Sequence, residues 1–384
     1  MAGIYIHVPF CLSKCAYCGF FSVPILKHKA DFLEALKQEM VSRQDYLHGE
    51  SVETIYFGGG TPSLLTTGEL QEILSLLFKL FPVASGAEIT LEANPDTLSL
   101  EYLQGLGALG VNRLSIGIQS FFDGDLRYLS RRHDSGHALQ CVAMAKEAGF
   151  KNISLDLIYG LPTSDGEQWS RNLDLFFGLE VPHLSAYALT LEPNSILTKQ
   201  IEMGKVLPVN EEDAVRDYEI LCRKAAEHGF LHYEISNFCK PGWRSRHNSA
   251  YWFQVPYLGL GPSAHSFDGQ TRQWNTSNLT QYLSSFQSNS AFRINFVEGF
   301  AVPHSELLSP DQVYDEYVML RLRTMWGIDL KYLKREMGER FAEHCERQAE
   351  PLVAQGRLSR TREFLYLNDQ QMLFADGIAE ALFW

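Results

Sequence analysis

The run Tyr5-Ile6-His7-Val8-Pro9-Phe10-Cys11-Leu12-Ser13-Lys14-Cys15-Ala16-Tyr17-Cys18 decides the fold. It places three of the chain's seven cysteines within eight residues. Thiolates spaced C-x3-C-x2-C can take three corners of an iron–sulfur cube and leave the fourth iron without a protein ligand. Zinc is a weaker reading, because a structural site wants four protein ligands and no second CxxC follows nearby. A redox dithiol would use Cys15 and Cys18 and leave Cys11 unexplained. Isolated structural cysteines would not cluster at all.

Outward from this run, short apolar segments at residues 3–8, 52–57, 88–93, 113–118, 153–158 and 184–189 read as strands. Amphipathic stretches at 29–46, 68–80, 100–109, 135–148 and 167–177 lie between them and read as helices. Regular alternation of this kind implies parallel strands joined by right-handed crossovers, hence an α/β sheet or barrel. Six units are too few for an eightfold barrel. In barrels the chemistry gathers at the C-terminal ends of the strands.

Those ends carry polar residues one after another. The cysteine loop follows the first strand. Gly58-Gly59-Gly60-Thr61-Pro62-Ser63 follows the second, where glycines let backbone N–H groups approach a ligand. Glu92 stands in Thr90-Leu91-Glu92-Ala93-Asn94-Pro95, Gln119 closes the fourth run, and Asp156 interrupts the apolar fifth, Leu155 to Pro162. A buried carboxylate is costly unless it is paired or ligand-bound. Each residue alone reads equally well as a solvated strand end, but their recurrence favours one shared pocket.

Together with Tyr5, the segments His7 to Cys11, GGGTPS, Glu92-Ala93-Asn94-Pro95, Gly117 to Phe121 and Asp156-Leu157-Ile158-Tyr159-Gly160-Leu161-Pro162 resemble the oxygen-independent coproporphyrinogen III oxidase-like branch of the radical S-adenosylmethionine (SAM) superfamily. The resemblance implies a partial (β/α)6 barrel with a smaller C-terminal helical, winged-helix-like domain. It also implies a [4Fe–4S] cluster on Cys11, Cys15 and Cys18, with Tyr17 as the aromatic residue that this family prefers before its third cysteine. Around SAM it places Tyr5, Tyr17, Gly59, Gly60, Thr61, Glu92, Gln119, Arg131 and Asp156. Arg131 is chosen by its distance from Gln119, and Arg132 beside it competes for the role. The chemistry agrees, since Arg can fork the ligand carboxylate and acids suit ribose hydroxyls.

Past a further helix at 211–228 the chain becomes aromatic and glycine-rich. His247-Asn248 followed by Tyr251-Trp252 is similar to the H-N-x-x-Y-W signature of HemW-type heme chaperones within the branch. The resemblance implies heme binding here, with His247 as axial ligand and His265 as a second candidate. A merely hydrogen-bonded histidine in a packed, barrel-closing region is the plainer alternative. Helices at 310–323, 330–337 and 341–355 and a hairpin near 356–367 then resemble a winged helix. The expected division is 1–230 for the barrel, 231–300 for a closing extension and 301–384 for the tail.

Two departures separate the chain from a true coproporphyrinogen oxidase: Phe20 stands where that enzyme has a further cysteine, and only ten residues precede Cys11. The expected function is therefore a heme chaperone carrying a [4Fe–4S] cluster and SAM, with no catalytic residue assigned. The alternative is coproporphyrinogen III oxidase or another radical SAM enzyme acting on a tetrapyrrole. Expected partners are heme, a heme-acceptor protein such as a respiratory enzyme, and a flavodoxin or ferredoxin as electron donor if the site is redox-active.

Composition sets the outer bounds. With 384 residues, 45% hydrophobic and 21% charged, the chain is ordinary for a globular protein with a large core. A formal charge of −13 disfavours nucleic acid, and the tail from His304 holds ten Lys and Arg against fourteen Asp and Glu. No apolar run approaches the roughly 18 residues of a membrane span, which leaves peripheral association open. The four remaining cysteines, Cys141, Cys222, Cys239 and Cys345, are scattered, and a reducing cytoplasm suits them.

Overall fold

The computed structural model describes residues 1–193, 195–286 and 304–384. The expected boundary between residues 300 and 301 lies outside that set.

Six strands run in parallel order: β1 (Ala2–Val8), β2 (Val52–Gly59), β3 (Val83–Ala93), β4 (Arg113–Gln119), β5 (Asn152–Tyr159) and β6 (His183–Ala188). Each is followed by helical segments: α1 (Lys29–Ser42), α2 (Thr67–Leu80), α3 (Leu100–Ala108), α4 (Asp123–Tyr128), α5 (Ser135–Glu147), α6 (Gly166–Gly178), α7 (Ile196–Glu202) and α8 (Glu211–Glu227). Alternate side chains of a strand point to opposite faces. Ile4, Ile6 and Val8, Leu114, Ile116 and Ile118, and Ile153, Leu155 and Leu157 share one core with the helices. Burying each such side chain contributes about 1.5–3 kcal/mol. The opposite face carries Tyr5, His7, Arg113, Ser115, Ser154 and Asp156. Glu92 of β3 and Tyr187 of β6 line one cavity, so the sheet curls with this polar face inward.

The sheet continues beyond the six predicted strands. β7 (Leu231–Glu234) and β8 (Asn237–Cys239) add antiparallel strands beside β6. Following α9 (Arg246–Trp252), β9 (Tyr257–Leu260) pairs parallel with β1, and β10 (His265–Phe267), β11 (Thr271–Trp274) and β12 (His304–Leu307) extend that edge antiparallel. α10 (Leu279–Ser285) packs back onto α1. Among the described residues of the region expected to close the barrel, 231–286, most of the chain is thus regular structure. It was hard to see because its strands are only three or four residues long and polar or glycine-bearing.

The tail has its own apolar core, centred on Tyr314, Phe341, Cys345 and Leu365. Its helices α11 (Pro310–Leu322), α12 (Leu330–Tyr332) and α13 (Glu339–Ala354) accompany a three-stranded sheet of β13 (Ile328–Asp329), β14 (Ser359–Arg360) and β15 (Phe364–Tyr366). The expected hairpin is present and gains β13 as a third strand. The tail meets the barrel beside β7, where Ile235 N donates to Arg323 O at 2.9 Å and Met325 N to Tyr233 O at 3.1 Å.

Candidate functional site

A cavity of about 440 Å³ opens at the C-terminal ends of the parallel strands. Its wall brings together Cys11, Cys15 and Cys18 with Gly59, Gly60 and Thr61, and opposite them Glu92, Gln119, Arg131 and Asp156. Residues from nearly a hundred and fifty positions of chain therefore meet in one place, as the pattern of polar strand ends predicted.

The cysteine loop is held from three sides. Cys11 N donates to Val23 O at 3.2 Å, Ala16 N to Leu129 O at 3.2 Å, and Leu197 N to Ala16 O at 2.8 Å. Beneath it lies a satellite core of Ala16, Leu129, Ile158, Leu161, Leu189 and Leu197. The glycine loop is tied to the same run, with Gly60 N on Val8 O at 2.8 Å and Thr61 N on Phe10 O at 2.7 Å. A Cβ on Gly60 would lie 2.6 Å from Phe10 O and 2.8 Å from Val8 O, so this contact admits only glycine.

Among the described residues no three His, Cys, Asp or Glu side chains converge on a single metal ion. Each thiolate of a cubane binds a different iron, so its three sulfurs need not converge on one point. All three thiols are free and partly exposed into the cavity. Thr61 Oγ1 donates to Cys11 Sγ at 3.5 Å and Arg131 Nη1 to Cys15 Sγ at 3.4 Å, partners suited to thiolates. The residues present fit a three-cysteine cluster.

Facing the loop, Glu92 accepts from Tyr56 OH at 2.8 Å and Gly59 N at 3.2 Å. Burial pushes its carboxyl up to about 7, with the charge of Asp156 adding to the rise. Asp156 accepts from Ser115 Oγ at 3.1 Å, and burial raises it to about 6. Arg131 is fixed by Asn94 Oδ1 at 2.8 Å and Gly117 O at 2.6 Å. Arg132 points to the surface, where it pairs with Asp96 at 3.3 Å. Gln119 adopts φ +68°, a left-handed conformation at a register shift between β4 and β5, which aims its amide back over Gly117. Strain of this kind concentrates at ligand sites. The arrangement can bind a small molecule that carries a carboxylate, an ammonium group and hydroxyls. The cavity also uses Lys14, Asn94, Tyr187 and Glu192, which the sequence reading did not assign; Asn94 alone had a signal, as the last polar residue of its motif.

The radical SAM superfamily matches residues 5–176, and the HemN C-terminal domain matches 308–374. The chain is 33% identical to heme chaperone HemW of Mycobacterium tuberculosis over 386 residues, covering 99% of this chain and 94% of that one. It is 32% identical to heme chaperone HemW of Bacillus subtilis over 381 residues, 98% of each. The chain belongs to the HemW branch of the radical SAM superfamily. Among solved structures, coproporphyrinogen III oxidase (HemN) from Escherichia coli superposes with a TM-score of 0.82 at 25% identity, over 99% of this chain and 89% of that one. The α/β radical SAM fold and its helical C-terminal region are those expected from the sequence.

Two residues assigned to ligands in this HemW-branch chain sit elsewhere. Tyr5 lies one layer below the cavity, where its hydroxyl meets His7 Nδ1 at 3.2 Å. His247 lies deeper, on the barrel floor, and is 2% exposed. Its Nδ1 is bound to Thr54 Oγ1 at 2.8 Å and its Nε2 to Tyr251 OH at 2.8 Å. The ring stacks on Tyr56, with centroids 5.0 Å apart, and Glu88 anchors its helix by accepting from Arg246 N and His247 N at 3.0 Å each. Both ring nitrogens are thus occupied. Burial, then the charge of Arg113, lowers His247 to about 3, so the ring is neutral. In this conformation His247 is a packed histidine with no nitrogen free for iron.

Proposed function

We propose that this protein is a heme chaperone of the cytoplasm that binds a [4Fe–4S] cluster and SAM, holds heme, and passes it to a heme-acceptor protein such as a respiratory enzyme. The near full-length likeness to proteins named heme chaperone HemW carries this reading. In it Cys11, Cys15 and Cys18 hold three irons, and Tyr17 packs beside them in the cavity wall. The cluster, when bound, supplies an open iron that chelates the amino and carboxylate groups of SAM. Gly59, Gly60 and Thr61 line the wall at the methionine end, where their carbonyl oxygens can accept from its ammonium, and Arg131 supplies a cation for its carboxylate. Glu92, Gln119 and Asp156 offer acceptors to ammonium and ribose hydroxyls.

Heme ligation by His247 requires Nε2 to leave Tyr251 and α9 to move off the floor. Titration of heme into cluster-loaded wild type and His247→Ala tests it. Loss of the shifted Soret band in the variant is the result expected of an axial ligand. Equal binding with equal fold removes His247 from the role and leaves the chaperone reading standing. Transfer of heme to an apo-acceptor tests the function itself, and no transfer overturns it.

The HemN likeness favours a second reading, oxidative decarboxylation of coproporphyrinogen III, with a flavodoxin or ferredoxin feeding electrons. Against it, Phe20 stands 69% exposed at the cavity rim where the resemblance calls for another cysteine. Protoporphyrinogen formed in anaerobic incubation with SAM and reductant would reverse the ranking.

A further inference from the structure

Arg113 opens β4 and is among the largest fully enclosed side chains of the molecule, 1% exposed. Its Nε and Nη1 find no acceptor, although a guanidinium keeps its charge at any pH at which proteins are folded. Thr90 and Asn152 are its register partners on β3 and β5, and the buried Thr90 Oγ1 and Asn152 Oδ1 are likewise unpartnered. An uncompensated buried cation is among the most costly groups a fold can carry, so its retention calls for an account.

The layer above supplies one. The next inward position on β4 is Ser115, which is in register with Glu92 on β3 and donates to Asp156 on β5. Two residues of strand span about 7 Å, so Arg113 starts one inward position below Glu92 and two below Asp156 in the register of the sheet, and neither carboxylate has an ion-pair partner among the described residues. The other groups turned toward that pair are of a different kind. Tyr5 and Tyr56 face it from β1 and β2, their phenols held neutral, first by burial, and the partly exposed Tyr187 faces it from β6. Tyr17 faces it from the cysteine loop and Tyr251 from α9, also neutral, beside the uncharged His247. The second cation, Arg131, already serves Cys15, Asn94 and Gly117.

We propose that Arg113 is a positioning residue of the ligand pocket: without touching the ligand, its charge favours the ionised forms of Glu92 and Asp156, which accept from the ligand's ammonium and hydroxyl groups. Its field lowers both carboxyls against the larger effect of burial. The proposal rests on the reading of the cavity as a SAM site.

The test is SAM affinity as a function of pH for anaerobically cluster-loaded wild type, Arg113→Lys, Arg113→Gln and Arg113→Met. Wild type and Arg113→Lys should lose affinity with the same midpoint as the pH falls. In the two uncharged variants the midpoint should move up by on the order of one pH unit, with affinity recovering at alkaline pH. A purely structural role would weaken binding at every pH without moving the midpoint. An unshifted midpoint in both uncharged variants overturns the proposal, as does an equal shift in Arg113→Lys. Should Arg113→Gln fail to fold, Arg113→Met, which spares the site an unpaired polar group, decides. If wild type binds no SAM at any pH, the pocket reading itself falls, a different result from an unshifted midpoint.

Discussion

Glu92 and Asp156 are two carboxyls inside one cavity, and burial raises both, to about 7 and about 6. A carboxyl whose pKa is higher folded than unfolded stabilises the fold most below its unfolded value, and that contribution is lost as pH rises through the folded one. These two groups therefore make the ligand-free protein more stable near pH 5 than near pH 8. Ligand binding needs the ionised forms and runs the other way, weakening as pH falls through that window. Glu92→Gln should remove much of both effects. At alkaline pH the ligand-free variant should melt at or above wild type, while SAM affinity should drop at least about tenfold, the worth of a charged hydrogen bond. Calorimetry at two pH values checks this; unchanged affinity would sink the role of Glu92. Gly60 makes a purely steric prediction. A methyl group there meets two backbone oxygens at 2.6 and 2.8 Å, neither able to swing aside. Gly60→Ala should cost about 1–3 kcal/mol and displace Phe10, seen as a lowered melting temperature together with poor cluster loading.

At the scale of elements, the cysteine loop is irregular backbone resting on a small platform, and the platform should set how well it loads. Leu129 is fully enclosed in the satellite core, and its carbonyl accepts from Ala16 N. Leu129→Ala should cost about 2–5 kcal/mol locally and reduce cluster incorporation, read by the charge-transfer absorbance after reconstitution. Full incorporation at wild-type rate would show that the loop needs no such floor. The six parallel strands and their long helices were legible in the sequence because apolar residues at period 2 and amphipathic helices bury opposite faces, a strong local signal. Three-residue strands such as β8 and β10 had none, since their place in the sheet is fixed by partners far along the chain. For the same reason the site was half legible. Cys11, Cys15, Cys18, Glu92 and Asp156 announce themselves where they stand, whereas Tyr187 is one aromatic on an ordinary strand. His247 reads as a ligand until α9 is seen to carry it beneath Tyr56.

On the scale of the whole molecule, the barrel and the tail each pack a core of their own. The barrel core and the tail core share no residue, and the seam between them includes Ile235 and Arg323, Met325 and Tyr233, Tyr218 OH and Asp369 O at 2.8 Å, Phe253 against Trp326, and the His232–Asp369 and Arg272–Glu316 ion pairs at 3.0 and 2.9 Å. None of these touches the cavity at the strand ends. Loosening the tail should therefore leave the ligand site intact. Phe341 is buried, stacks on Tyr314 with centroids 4.9 Å apart, and packs edge-on against Trp384 at 4.8 Å. Phe341→Ala should cost about 3–5 kcal/mol, felt first in the tail. Hydrogen exchange should speed up across 310–384 while the amides of β1 to β6 keep their protection and SAM affinity stays at the wild-type value. If heme transfer to the acceptor then falls with SAM affinity unchanged, the tail is the part that meets the partner. A loss of SAM binding would instead mean that the two cores are mechanically coupled across β7, and that the barrel holds its pocket only with the tail in place.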